Sequence, residues 1–299
     1  MFPGAVLSLL VSIGCHASDA IVVGSKNFTE SVLLGEIVAQ QLERNGLEVD
    51  RRLNLGGSFI CHSALTAGQL DIYVEYTGTA YSAILKLPRE RDPKIVRRVV
   101  DSTYAERWGL EWTEPLGFNN TFAVLIRGED AERFNISTIS DLARVAPQWK
   151  FGAGYEFIER ADGYRGLIDS YGLSFRGRAR EMDLGLTYRA LADGQVDVIA
   201  GNSTDGQIEA LHLFQVADDR QYFPPYEATP VVRKATLLQH PAVRGALADL
   251  AGAIDETEMR RLNYLVDVER KDVKVVATDF LSALGKQQGR RTRRPYRLA

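Results

Sequence analysis

Ala64-Leu65-Thr66-Ala67-Gly68-Gln69-Leu70-Asp71-Ile72 and Ala190-Leu191-Ala192-Asp193-Gly194-Gln195-Val196-Asp197-Val198 are two copies of one pattern, with Leu65 and Leu191, Gly68 and Gly194, and Asp71 and Asp197 each 126 positions apart. The same offset aligns Gly46-Leu47 with Gly172-Leu173. Each copy reads as a helix ending at the glycine, where a left-handed residue meets no Cβ clash, followed by a short apolar strand. A helix-to-strand unit repeated at so long an interval points to two lobes built on one plan. Open α/β sheets bind ligands beyond the carboxyl ends of their strands. The segments that follow the repeat, Glu75-Tyr76-Thr77-Gly78-Thr79 and Asn202-Ser203-Thr204-Asp205-Gly206, are therefore the first place to expect a site. Asp71 and Asp197 themselves read as turn and cap residues.

Around the first copy, strand and helix signals alternate. Ile21-Val22-Val23-Gly24 reads as a strand, and Thr29 with Val32, Leu33, Ile37 and Leu42 as an amphipathic helix closed by Asn45-Gly46. Residues 49–55 read as the next strand, Gly56-Gly57-Ser58 as a turn, and 63–70 as the helix of the repeat. A second series starts near Phe151. Such βαβα order predicts an α/β fold in which each lobe is a mainly parallel sheet flanked by helices. Two extended stretches interrupt the alternation: Leu116 to Ile126, containing Asn119-Asn120-Thr121, and Tyr222-Phe223-Pro224-Pro225-Tyr226. Read as hinge crossings, they divide the chain into lobe 1 (21–118 and 223–287) and lobe 2 (119–222), with a cleft between them.

A chain of 299 residues can bury two modest cores, and 36 basic against 39 acidic side chains, net charge −3, give no field that would favour nucleic acid. Residues 1–20 read as an export signal: the apolar run Ala5 to Ile13 is too short to span a membrane and is followed by small residues, with cleavage after Ala17 or Ala20. Cys15 follows Ser12-Ile13-Gly14, a partial match to a lipid-attachment motif. Without the leader Cys61 is the sole cysteine, so no intrachain disulfide can form, and its apolar neighbours suggest a buried, inert thiol. The four histidines have no metal-ligand spacing, and neither metal nor cofactor is expected. Residues 288–299 read as a basic flexible tail.

The chain has no Gly-x-Ser-x-Gly elbow, phosphate loop, dinucleotide fingerprint or paired helical histidines, so a binding protein is favoured over a secreted enzyme on the same scaffold. What it does place at the lobe edges is Lys26, Tyr76, Phe122, Arg160 and Tyr226. An aromatic face attracts a quaternary ammonium by roughly 0.5–2 kcal/mol, and a guanidinium grips a carboxylate with two parallel bonds. Together these groups suit a zwitterion. The same residues also have plain structural readings: Tyr76 and Tyr226 as half-buried tyrosines, Lys26 as a charge at a helix start, Phe122 as core, and Arg160 paired with Asp162 or Glu156.

Gly24-Ser25-Lys26-Asn27-Phe28-Thr29-Glu30, Leu55-Gly56-Gly57-Ser58, Glu75-Tyr76-Thr77-Gly78-Thr79, Gly117-Phe118-Asn119-Asn120-Thr121, Glu156-Phe157 with Arg160-Ala161-Asp162-Gly163, Ser203-Thr204-Asp205-Gly206 and Phe223-Pro224-Pro225-Tyr226 resemble the glycine betaine/choline/carnitine-binding proteins of osmoprotectant ABC importers. The resemblance runs from about residue 20 to 285. It implies a type II periplasmic-binding-protein fold, periplasmic and possible as a lipid-anchored form through Cys15, that acts as a monomer, closes on a quaternary-amine solute and delivers it to an inner-membrane permease. It assigns an aromatic cage to Tyr76 and Tyr226, and carboxylate contacts to Lys26, Thr79 and Arg160. At two cage positions where the family often has tyrosine, this chain has Phe122 and Asn202. Phe122 keeps the π face, whereas Asn202 removes a wall, which leaves choline, carnitine and ergothioneine beside glycine betaine as ligands.

Overall fold

The computed structural model describes residues 20–292. The leader and Cys15 fall outside the described residues, as do residues 293–299 of the basic tail. The chain forms two five-stranded sheets. β1 (Ile21–Lys26), β2 (Val49–Gly56), β3 (Ile72–Tyr76) and β4 (Leu110–Trp112) belong to the first. The second holds β5 (Phe122–Arg127), β6 (Phe151–Ala153), β7 (Arg180–Glu181), β8 (Val198–Asn202) and β9 (Leu213–Val216). The chain then returns to the first sheet as β10 (Ala228–Arg233).

The strand orders, β2-β1-β3-β10-β4 and β7-β6-β8-β5-β9, are one plan used twice. In each sheet one strand departs from the parallel pattern expected from the βα alternation: β10 runs antiparallel to β3 and β4, and β5 to β8 and β9. Both are entered directly from a crossing. The crossing arrives at the edge where the parallel strands end, so a strand that starts there must run the other way. The two crossings touch through a bridge between Asn119 and Glu227.

Burial follows the pleat. Ile72 and Val74 face one core with Leu33, Leu34 and Ile37, while Tyr73 faces another with Leu65, Leu70 and Trp112. In the second sheet Val198 and Ala200 lie on one side and Ile199 on the other. Both faces of each sheet are thus covered, as apolar strand runs require. The first helix, α1 (Thr29–Arg44), is amphipathic as its spacing predicts, with Leu33, Leu34, Ile37 and Leu42 buried. The next, α2 (Ser58–Thr66), starts five residues earlier than the sequence reading placed it, because Gly57 supplies an extended N-cap directly after β2.

The repeated motif closes the same corner in both lobes. Gly68 and Gly194 have φ of 74° and 68°, the left-handed turn expected of them. Asp71 Oδ2 accepts from the Val22 backbone N–H at 2.9 Å, and Asp197 Oδ2 from that of Lys150 at 2.8 Å. Each aspartate also meets the arginine that ends the antiparallel strand, Arg233 or Arg127. At the chain's end the backbone stays helical to Thr292, some way into the stretch read as a flexible tail. Lys, Gln and Arg are good helix formers, and no proline intervenes before Pro295.

Candidate functional site

Strand direction brings the site together. Lys26 ends β1, Tyr76 ends β3 and Asn202 ends β8, all at carboxyl ends, while Phe122 begins the antiparallel β5 and Tyr226 lies just ahead of β10. These ends surround a cavity of about 690 Å³ between the sheets, lined by Lys26, Tyr76, Thr79, Phe122, Arg160, Asn202 and Tyr226, with Asn120 and Glu156 among the others. All seven residues singled out from the sequence therefore share one cavity, of a size usual for small-molecule sites. Thr79 opens a short π-helical turn, Thr79–Ile84, a geometry often found at functional sites.

The rings are clustered. Phe122 lies 5.7 Å from Tyr226 and 4.8 Å from Phe157, centroid to centroid, both edge to face. Phe28 stacks on Tyr76 at 6.4 Å. Phe122 and Asn202 are directly paired across β5 and β8, so their side chains stand on the same face of the sheet. Asn202 is held by Asp205, which accepts from its backbone N–H at 2.8 Å and from its side-chain amide at 3.2 Å. Beyond Asn202 lies a second cavity of about 370 Å³, which Tyr188, Asp205 and Asp267 also border. Burial pushes the Asp205 carboxyl up to about 7, although Tyr188 O–H and the Asn202 N–H both donate to it.

Both cations of the site are already matched by buried acids. Lys26 Nζ donates to Glu75 Oε1 at 2.6 Å and to Ser58 Oγ at 3.4 Å, and stands 4.4 Å from the centre of the Tyr76 ring. Two of its three protons are thereby engaged, and the charge also faces the Tyr76 ring. Arg160 forms a fork with Asp162, Nε to Oδ1 at 2.9 Å and Nη2 to Oδ2 at 2.6 Å, and donates from Nη1 to Thr79 at 3.2 Å. A guanidinium has five N–H groups, so two remain for a ligand. Burial works against the Arg160 charge, but Asp162 more than offsets it and holds the guanidinium protonated. Arg160 also covers Phe122 at 4.9 Å, and Tyr226 O–H donates to Asp162 at 2.6 Å. The structural reading of Arg160 as partner of Asp162 and Glu156 thus holds together with its place on the cavity wall. Three further acids, Glu156, Glu181 and Asp183, line the cavity. With Lys26 and Arg160 neutralised, the walls favour positive charge on a ligand.

Two residues that the sequence reading quoted but gave no ligand role tie the lobes together. Glu156, on the helix Tyr155–Glu159 of the second lobe, accepts from the backbone N–H of Ser58 at the start of α2. Gly57 makes room for it, since a Cβ there would lie 2.1 Å from Glu156 Oε1. The second is Glu30, in the first turn of α1 and only 1% exposed. Its oxygens accept from Tyr76 O–H at 2.5 Å, Asn120 Nδ2 at 2.8 Å, Thr204 O–H and Asn263 Nδ2 at 2.8 Å. Desolvation raises the Glu30 carboxyl above the ordinary glutamate range, against the pull of these donors. A signal for it existed, because Glu30 stands three, four and seven residues before Leu33, Leu34 and Ile37, on the stripe that the core buries. Cys61 is buried, and desolvation pushes its thiol up to about 12. Among the described residues no cluster of His, Cys, Asp and Glu could hold a metal ion, and no helix is long and apolar enough to cross a membrane.

Comparison with known proteins agrees with this architecture. The model of the substrate binding domain of ABC-type glycine betaine transport systems, OpuAC, matches residues 19–283. The ergothioneine transport permease/ergothioneine binding protein EgtU of Helicobacter pylori is 37% identical over 266 residues, which are 89% of this chain and 48% of that protein. This chain thus spans about half the length of that relative. The glycine-betaine-binding protein of Pseudomonas aeruginosa is 36% identical over 282 residues, covering 91% of this chain and 90% of the relative. A crystal structure described as a glycine betaine/carnitine/choline ABC transporter superposes with a TM-score of 0.74 at 34% identity, over 88% of this chain and 98% of that one. The shared architecture is the type II periplasmic-binding-protein fold, and the family serves transport, not catalysis. On the family match and these relatives, the chain belongs to the substrate-binding domains of ABC-type glycine betaine transport systems.

Proposed function

We propose that this protein captures a small quaternary-amine solute of the glycine betaine type between its two lobes and delivers it to the permease of an ABC importer. It acts outside the inner membrane, as a monomer, with residues 21–118 and 223–287 moving against 119–222. The observation that carries this reading is the single cavity shared by Tyr76, Phe122, Tyr226, Arg160 and Thr79. It offers π faces to an ammonium and two uncommitted guanidinium N–H groups to a carboxylate. The acidic lining favours the ammonium further, and Lys26 contributes by shaping the Tyr76 wall. The names of the relatives support the same ligand class.

One observation favours a larger solute within that class. Asn202 presents an amide where a ring would close the cage, and it opens on the second cavity. Carnitine and ergothioneine, which extend beyond the betaine group, use that space, whereas choline lacks the carboxylate that Arg160 would hold. Calorimetry with glycine betaine, carnitine, choline and ergothioneine tests the reading, with small-angle scattering at saturation. At least one amine should bind and reduce the radius of gyration. No binding by any of the four, or binding with an unchanged scattering profile, sinks it.

A further inference from the structure

Glu30 is placed where ligand site and lobe angle meet. One carboxylate oxygen receives the Tyr76 hydroxyl from the end of β3 and the Asn120 amide from the first crossing. The other receives the Thr204 hydroxyl, from the loop after β8 in the second lobe, and the Asn263 amide from the helix Glu256–Asp267 packed on the first. A carboxylate has about four lone-pair sites, and here all are filled. The donors come from four separate segments, and Asn263 Nδ2 also reaches the Thr204 carbonyl at 2.9 Å. The loop has no slack around this point. Gly206 fits only because it lacks a side chain, since a Cβ there would lie 2.5 Å from the Tyr264 backbone.

This arrangement has two consequences. The Tyr76 ring faces the cavity while its hydroxyl is anchored away from it, so the orientation of that wall is set by Glu30. Thr204, which does not line the cavity, reaches the same carboxylate from the other lobe. A rotation of the lobes that moves Thr204 away would strand a buried anionic lone pair, a costly state that narrows the range of lobe angles.

We propose that Glu30 is a positioning residue that couples the orientation of the Tyr76 cage wall to the angle between the lobes, through its simultaneous bonds to Tyr76, Asn120 and Thr204. The proposal rests on the reading of Tyr76 as a cage residue for its binding half, while its mechanical half stands without any ligand.

Glu30→Gln sets an amide against incoming donors and endangers the fold, so the deciding variants are Thr204→Val and Tyr76→Phe, each of which removes one bond and keeps the shape. Spin labels at the exposed positions Arg98 and Arg189, introduced as cysteines on a Cys15→Ser background, report the distance between lobes, with Cys61 buried and silent. Without ligand, Thr204→Val should broaden the distance distribution toward wider separations, and the melting temperature should fall by about several degrees because one buried Glu30 lone pair loses its donor. Tyr76→Phe retains the π face, yet should weaken every amine that the parent binds by about ten- to a hundredfold, whether or not the amine carries a carboxylate. A Thr204→Val distribution identical to the parent's overturns the proposal, as does a Tyr76→Phe protein that binds like the parent. If the parent binds none of the four amines, the transport reading fails, and the ligand-free distances still decide whether Glu30 governs the lobe angle.

Discussion

Replacing Arg160 separates its hold on Asp162 from the ligand contact proposed for it. Arg160→Ala removes both, and leaves Asp162, 8% exposed, with the Tyr226 hydroxyl as its remaining side-chain donor. Stranding a buried carboxylate in this way costs about 3–5 kcal/mol of folding stability. At roughly 2–4 °C per kcal/mol for a chain of this size, the melting point should fall by about 6–20 °C. Binding measured on that protein alone would mix the two effects. The double variant Arg160→Met/Asp162→Asn removes both charges together, keeps the volume, and should recover most of the lost stability. Its binding then isolates the ligand term. Losing one partner of a desolvated charge pair costs about 2–5 kcal/mol, so glycine betaine should bind about thirty- to four-thousandfold more weakly by calorimetry. Choline has no carboxylate and should lose little, the more so because the guanidinium at 4.9 Å no longer covers the Phe122 ring. Equal losses for both ligands in a folded double variant would refute the reasoning and assign Arg160 to lobe architecture alone.

Asn202→Tyr should place a ring beside its strand partner Phe122 and tighten glycine betaine by roughly 0.5–2 kcal/mol, up to about thirtyfold, while weakening any ligand that uses the space beyond Asn202; unchanged titrations across the amine panel would put that side chain outside the site. Glu156→Ala should free the Ser58 N–H and loosen the contact between lobes, seen as a larger radius of gyration without ligand, and an unaltered radius would show that this contact does not hold the lobes. The Asp205 carboxyl, at about 7 in the folded protein against 3.8 for an ordinary aspartate, keeps its proton where the unfolded chain has lost it, so it contributes stability that declines as pH rises from about 4 to about 7. Melting curves of the parent and Asp205→Asn across that range should diverge in slope, and parallel curves would contradict the assignment.

Much of the two-lobed plan was legible because it is written in local signals. The glycine turns at Gly68 and Gly194 need only a few neighbouring residues to be recognised, and the offset between them aligns Tyr76 with Asn202 at the ends of matching strands. Five of the seven candidate residues shared a cavity because they lie at a strand end or in a crossing, positions that strand polarity sends to one edge, while Thr79 and Arg160 reach it from the turn after β3 and the end of the helix Tyr155–Glu159. The partners were not legible. Lys26 meets Glu75 across 49 residues and Glu30 meets Thr204 across 174, and nothing in the spacing announces either pair. The antiparallel course of β5 and β10 depends on how the crossings enter the sheets, which the alternation of strands and helices does not encode.

That exchange of strands also orders the birth of the molecule. All five strands of the second sheet lie between Phe122 and Val216, a continuous stretch that can complete its sheet as soon as it is made. The first sheet has a gap between β3 and β4 that only β10 can fill, and β10 begins at Ala228. As the chain emerges from its amino end, the earlier-made lobe must therefore wait for the later-made one. Until β10 arrives, β3 presents an open edge, the kind of surface on which chains pair wrongly with one another. The pairing that closes it joins residues more than 150 positions apart, Ala228 with Tyr76 and Val232 with Ile72, and such distant contacts form slowly. The half-made amino-terminal lobe is thus the stage at which this protein most needs protection.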